Sequence, residues 1–315
     1  MAVVITAVFA FSHDFVKEWQ EAEGTNFLMK ISIDCIPCFI RQALDAVRFA
    51  TDDTAVHERV LREVLTATGT MDFHMSPPVM GRHIHRLIRE LSRSNDPYLA
   101  QKQRFNRIAL DLYSDMKQRI RTASNPFDTA VRLAIAGNII DFGVYGALQS
   151  TQLIQTIDAS LTAPVTGSIS ALAKAVERAG TILYLGDNAG EIVFDRLLIE
   201  EISEKNITFA VRGGPVINDA TLDDAAQVGL TNLVDVIDNG SDAPGTVLDT
   251  CSDTFRRHFD TADLIIAKGQ GNFETLSSVE KNIFFLLKAK CPVISNHIGC
   301  KTGSLVACHP ADLTG

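Results

Sequence analysis

Between Ile31 and about Leu161 the apolar positions recur at three- and four-residue intervals, as in Phe39, Ala43, Leu44 and Val47, or Ile84, Leu87, Ile88 and Leu91. That period is the signature of helices with one buried face. The run is punctuated at Ser76-Pro77-Pro78, Asn95-Asp96-Pro97 and Ser124-Asn125-Pro126, each of which should end one helix and launch the next. After about residue 165 the pattern changes to short apolar runs separated by helical stretches. Residues 182–185, 207–211, 233–237, 264–267 and 292–295 read as strands, and 192–202, 221–228, 247–259 and 279–289 as the helices between them. Such alternation predicts an α/β sheet, largely parallel and covered by helices. The expected division is therefore a helical domain over 29–165 and an α/β domain over 166–315. No internal repeat or low-complexity tract is found.

Residues 1–28 stand apart. The stretch Ala2 to Phe11 has about half the length a membrane span requires and no preceding Lys or Arg, so it reads neither as a span nor as a signal peptide. Residues 12–28 are polar and acidic, and the fold is expected to begin near Met29. The upstream piece is an extension, either from an early start codon or a real tail. Composition (46% hydrophobic, 21% charged) is that of an ordinary globular chain. A formal net charge of -9 argues against a phosphate-backbone binder, so nucleic acid is not an expected partner. Six cysteines in 315 residues need not be disulfide staples, which favours a reducing cytoplasm.

In parallel sheets ligands bind beyond the carboxyl ends of the strands, so the residues after each strand matter most. The first long strand runs into Gly186-Asp187-Asn188-Ala189-Gly190-Glu191, and the second into Arg212-Gly213-Gly214 and then Asn218-Asp219. Asp187, Asn188 and Asp219 form an all-oxygen set suited to a hard divalent cation; the competing reading makes Asp187 or Asn188 a helix cap. A further tip reads Lys268-Gly269-Gln270-Gly271-Asn272, where a lysine and exposed backbone N–H groups suit an anion, unless Lys268 is a solvated surface residue. Lys288 reads either as a second phosphate-facing lysine or as a residue complementing a helix dipole. Within Ala136-Gly137-Asn138-Ile139-Ile140-Asp141-Phe142-Gly143, Asn138 and Asp141 are either satisfied structural groups or residues that close over a substrate. Cys35 and Cys38 form a single CxxC, too few for a zinc site, and read as structural thiols or partial metal ligands. There is no GxGxxG after the first strand, no P-loop and no HExxH.

The strings CIPC (35–38), NDPY (95–98), AGNIIDFG (136–143), GDNAGE (186–191), VIND (216–219), AKGQGNFETL (267–276) and LLKAKCP (286–292) together resemble the damage-control phosphatases, which are related to the acidic-residue methyltransferase proteins, and among them the prokaryotic branch that carries CxxC. The resemblance implies a helical amino-terminal part and a Rossmann-like α/β/α domain. It implies hydrolysis of small phosphate esters, such as sugar phosphates, nucleotides or damaged metabolites, supported by Mn, Mg, Co or Ni. Asp187, Asn188 and Asp219 match the family's metal ligands, and Lys268 to Asn272 its substrate loop. Arg212, Gly213 and Asn138 fall where phosphate or substrate would be met. Lys288 stands in place of the lysine of an Arg-Thr-x-Lys motif, with Phe285 and Leu286 where Arg and Thr would be. Asp141 or Glu191 would be the proton acceptor. Two other functions are compatible with such a chain: an S-adenosylmethionine-dependent carboxyl methyltransferase, disfavoured by the missing glycine fingerprint, and a noncatalytic metal- or phosphate-binding protein.

Overall fold

The computed structural model describes residues 29–138 and 150–312. The expected extension over 1–28 and Asp141 lie outside the described residues. Six helices come first: α1 (Cys35–Ala50), α2 (Thr54–Thr70), α3 (Pro77–Ser92), α4 (Leu99–Thr122), α5 (Pro126–Gly137) and α6 (Ser150–Thr162). Their boundaries follow local chemistry. Pro77 and Pro126 occupy first-turn positions where a missing N–H costs nothing, and the Asn125 side chain accepts from Asp128 N.

The second half alternates β1 (Val165–Gly167), α7 (Ile169–Arg178), β2 (Thr181–Leu185), α8 (Glu191–Glu201), β3 (Asn206–Val211), α9 (Leu222–Gln227), β4 (Asp235–Asp238), α10 (Asp253–Thr261), β5 (Leu264–Lys268), α11 (Gly269–Leu276), β6 (Ile283–Lys288), α12 (Pro292–Ile298) and β7 (Leu305–Cys308). The strands form one sheet in the order β1-β7-β6-β5-β2-β3-β4, parallel except where β6 meets β7. β2 lies between β5 and β3, with Leu185 paired to Ala267 on one side and Ala210 on the other. The chain leaves β2 toward β3 and returns to its other side as β5, so a crevice opens at the carboxyl end of β2.

Two expectations reverse at the carboxyl end. Residues 279–289, expected to be a helix, contain strand β6, and 292–295, expected to be a strand, begin helix α12. Ile283 to Leu287 is continuously apolar because β6 is buried on both faces between β5 and β7, and such a run carries no period that separates strand from helix. Pro292 then sits at the first helical position, where its fixed φ favours a helix start. The helix expected over 247–259 is split, a short turn of 3-10 helix at Leu248–Thr250 preceding α10, which Ser252 caps. The short strands β1 and β7 were not expected.

The apolar side chains divide by packing rather than by the change of pattern near residue 165. Helices α4 to α8 share one core with one face of the sheet. Helices α10 to α12 cover the other face. Among the described residues only α1 to α3 keep a core of their own, built on Phe39, Val47, Val64, Met80, Ile84 and Ile88. That unit joins the strand-tip loops through Arg82, Arg86 and Arg89, all of which bond Asp242, at 2.6–2.8 Å for the closest approach of each. The three guanidiniums hold the Asp242 carboxyl below its ordinary range despite its partial burial. α5 packs against α8, with Phe194 filling the space above Gly137, and so delivers Asn138 to the carboxyl edge of the sheet.

Candidate metal and phosphate site

The tips of β2 and β3 are tied together by backbone. Asn188 and Asp219 form an isolated antiparallel bridge, Ala189 N donates to Asn218 O at 2.9 Å, and Ala220 N donates to Asp187 O at 2.7 Å. The turn that brings Asp219 back to β2 holds Ile217 at φ 44°, an unfavourable left-handed conformation for a β-branched residue. Strain of this kind persists where the surroundings over-determine it, commonly beside a functional site. The bridge thus places Asp187, Asn188 and Asp219, none more than 8% exposed, in one recess.

Arg212 answers this negative charge. Its Nε donates to Asp219 Oδ2 at 2.6 Å, Nη1 reaches Asn272 Oδ1 at 3.3 Å, and Nη2 lies 3.7 Å from Asp187 Oδ1 without forming a hydrogen bond. One guanidinium serves two buried carboxylates. Burial, followed by repulsion from Glu191 and Asp219, holds the Asp187 carboxyl well above its ordinary range. Burial likewise raises Asp219, with Arg212 pulling the other way. Without further positive charge the recess favours protons on its carboxylates.

β5 closes the third side. Gly269 has φ 78°, and a Cβ there would come within 1.9 Å of Asp187 Oδ2, so only glycine lets the β5 tip approach this carboxylate. Asn272 donates to Lys268 O at 2.7 Å and accepts from Thr246 Oγ1 at 2.8 Å. Gln270 accepts from Lys290 N at 2.5 Å. Gly213 is exposed, but its N–H is used by Ser241 O and Asn239 Oδ1.

Below this recess lies a second, sealed cluster. Lys268 is fully buried and donates to Ala134 O (2.8 Å), Glu191 Oε1 (2.6 Å) and Asp195 Oδ1 (2.5 Å). It therefore points into the protein rather than at the mouth of the site, and the two carboxylates around it raise its pKa despite the opposing effect of burial. Asp195 is pushed up to about 7 by burial, against the pull of Lys268, and accepts from Tyr184 Oη at 2.7 Å. Glu191 Oε2 accepts from Asn138 Nδ2 (2.8 Å) and Asn188 Nδ2 (3.0 Å), with Asn188 N at 3.4 Å. Both Glu191 oxygens are engaged with protein donors, which suits a positioning group better than a proton acceptor.

The remaining expected residues lie further out. Lys288 ends strand β6 rather than a helix; it is half-buried, and burial together with neighbouring Lys290 lowers its pKa. Cys35 and Cys38 open α1, half-buried and exposed respectively; all six cysteines are free, and burial raises the Cys35 thiol. Among the described residues no three His, Cys, Asp or Glu side chains converge as a metal site, so a cation here must rely on amide oxygen as well as Asp. Several supporting residues escape sequence reading. Lys102 and Asn106 of α4 bind Asp224, and Asn106 Oδ1 accepts from Gly190 N at 2.6 Å, bracing the 186–191 turn. Asp195 had one available signal: a carboxylate four residues after Glu191 amid Ile192, Val193, Phe194, Leu197 and Leu198.

A family model described as "Damage-control phosphatase ARMT1-like domain" matches residues 31–306. A damage-control phosphatase of Pyrococcus horikoshii is 36% identical over 285 residues, covering 88% of this chain and 97% of the relative. One of Archaeoglobus fulgidus is 34% identical over 291 residues, covering 89% and 99%. An uncharacterized protein of Methanocaldococcus jannaschii is 38% identical over 294 residues, covering 88% and 95%. The crystal structure of a DUF89-family protein from Pyrococcus horikoshii superposes with a TM-score of 0.83 at 34% identity, covering 90% of this chain and 99% of that one.

Proposed function

Because the chain belongs to the ARMT1-like damage-control phosphatase family, we propose that it hydrolyses small phosphate monoesters with a divalent cation held by Asp187, Asn188 and Asp219. The observation that carries this reading is the pair of buried carboxylates from adjacent strand tips sharing one guanidinium, with an amide bridged between them. The oxygen-only donor set fits Mg, Mn, Co or Ni. Bound there, such a cation supplies Lewis-acid polarisation of a phosphoryl oxygen and acidifies an attacking water.

The chain's own residues supply the rest. Arg212 Nη2 is buried with no hydrogen bond and offers a donor to a phosphoryl oxygen beside the cation. Asn218 Nδ2, also buried and unpaired, offers a second. Lys288 and Lys290 place positive charge at the β6 end of the crevice, where a transferring phosphoryl group gains negative charge. Lys268 acts one step back, as the counter-charge that keeps Glu191 in place. The substrate is a small phosphorylated metabolite handled in the cytoplasm. No helix among the described residues is long and apolar enough to cross a membrane.

The test is phosphate release from a panel of sugar phosphates, nucleotides and other small esters, first with EDTA and then with each of the four metals, using wild type and Asp187→Ala. Turnover restored by metal in wild type and absent from the variant is expected. No turnover across the panel in metal-loaded wild type would instead favour a noncatalytic binding protein.

A further inference from the structure

We propose that Asn138, delivered from helix α5, supplies a fourth oxygen ligand to the cation site; the inference rests on the metal reading above. Asn138 caps the carboxyl end of α5 and is 1% exposed. Its Nδ2 donates to Asp187 Oδ2 at 3.0 Å and to Glu191 Oε2 at 2.8 Å. Asn188, one of the three ligands already assigned, makes the same two bonds to the same two oxygens, at 2.7 and 3.0 Å. Two amides from different parts of the chain are thus held in the same way.

The orientation has a chemical cause. Glu191 accepts from Lys268 through Oε1 and presents Oε2 to both amides, so the edge of each amide facing it must be its NH2, and each Oδ1 must face away. Turning the Asn138 amide over would set its oxygen against two carboxylate oxygens. Asn138 Oδ1 is left buried with no hydrogen-bond partner, an arrangement that costs free energy unless a ligand completes it. An unpaired acceptor beside two acidic groups suits a cation and repels phosphate.

The sealed cluster explains how the amide is held. Lys268 bonds Glu191 and also Ala134 O, one turn before Asn138 in the same helix. The Lys268–Glu191 pair therefore fixes both the end of α5 and the carboxylate that aims the two amides. Outer groups of this kind set ligand orientation in metal sites.

Metal-stripped wild type, Asn138→Ala and Asn138→Cys, each checked by its melting curve, should be titrated with Mn2+ by calorimetry and with Cd2+ in the ultraviolet. Asn138→Ala is expected to weaken Mn2+ binding by about tenfold or more. Asn138→Cys should move the preference toward Cd2+ and add one sulfur-to-cadmium charge-transfer band above the wild-type background, since thiolate selects softer metals. A residue that only steadies Asp187 would produce no such band. Wild-type Mn2+ affinity in Asn138→Ala, or no added band in folded Asn138→Cys, would overturn the assignment while leaving the three-ligand reading intact. Failure of wild type itself to bind Mn2+ would overturn both.

Discussion

Two charged clusters sit one above the other at the carboxyl ends of β2 and β5; each shares one cation between two carboxylates, and they differ in how completely that cation is bonded. The lower one, Lys268 with Glu191, Asp195 and Tyr184, is sealed; its lysine makes three hydrogen bonds, and Asp195 Oδ2 is left without a partner. The upper one, Asp187 and Asp219 with Arg212, shares one cation between two carboxylates and leaves Arg212 Nη2 and Asn138 Oδ1 buried without partners. A buried cation whose N–H groups are all bonded holds structure, whereas one left with an unbonded N–H, beside an amide oxygen without a partner, marks where a ligand belongs. Glu191 joins the two, taking Lys268 below and the amides of Asn138 and Asn188 above.

The largest separation between the clusters should appear on removing the lower cation. Lys268→Met strands Glu191 and Asp195 in the interior and should destabilise the protein by about 3–5 kcal/mol in denaturant unfolding, the usual result of breaking one side of a buried pair. Loss below about 1 kcal/mol would mean that the lower cluster is not structural. Gly269→Ala should cost less, about 1–2 kcal/mol from its left-handed φ alone. Its Cβ also displaces Asp187, so metal-dependent turnover should fall more than stability does; equal losses would detach Gly269 from the upper cluster.

The smallest effect is one of pH. The carboxyls of Asp187 and Asp219 are held above their ordinary values, so the folded, metal-free protein keeps protons that the unfolded chain releases from about pH 4 upward. That contribution is complete below the unfolded pKa and is lost as pH rises through the folded values. Melting temperature measured in EDTA should therefore fall from pH 5 to pH 8, and Asp187→Asn should flatten the slope. On the proposed metal reading, added Mn2+ should oppose the fall, because the cation would bind the deprotonated carboxylates. A slope unchanged by the substitution would place the titration elsewhere.

The legibility of these features in the sequence follows their range. β2, β3 and β5 could be read because their apolar runs end abruptly in Gly186, Arg212 and Lys268, and parallel sheets present such tips to ligands. That Asp187, Asn188 and Asp219 lie in one recess also fits the reading of adjacent tips. The role of Lys268 could not be read, because its partners lie 77 and 73 residues away and a lysine after a strand looks the same whether it points outward or inward. β6 was hidden for a different reason: a strand buried on both faces loses the alternation that identifies it. The unity of α4 to α8 with the sheet was likewise invisible, since a helix's period shows that it has an apolar face but not what covers it.

The most direct test is calorimetric titration of Mn2+ into metal-stripped wild type, Asp219→Ala and Tyr184→Phe, with unfolding curves for each. One site should appear in wild type, be retained in Tyr184→Phe, which perturbs only the sealed cluster, and vanish in Asp219→Ala while that variant stays folded. Undiminished Mn2+ binding in folded Asp219→Ala would contradict the assignment of the upper cluster as the metal site.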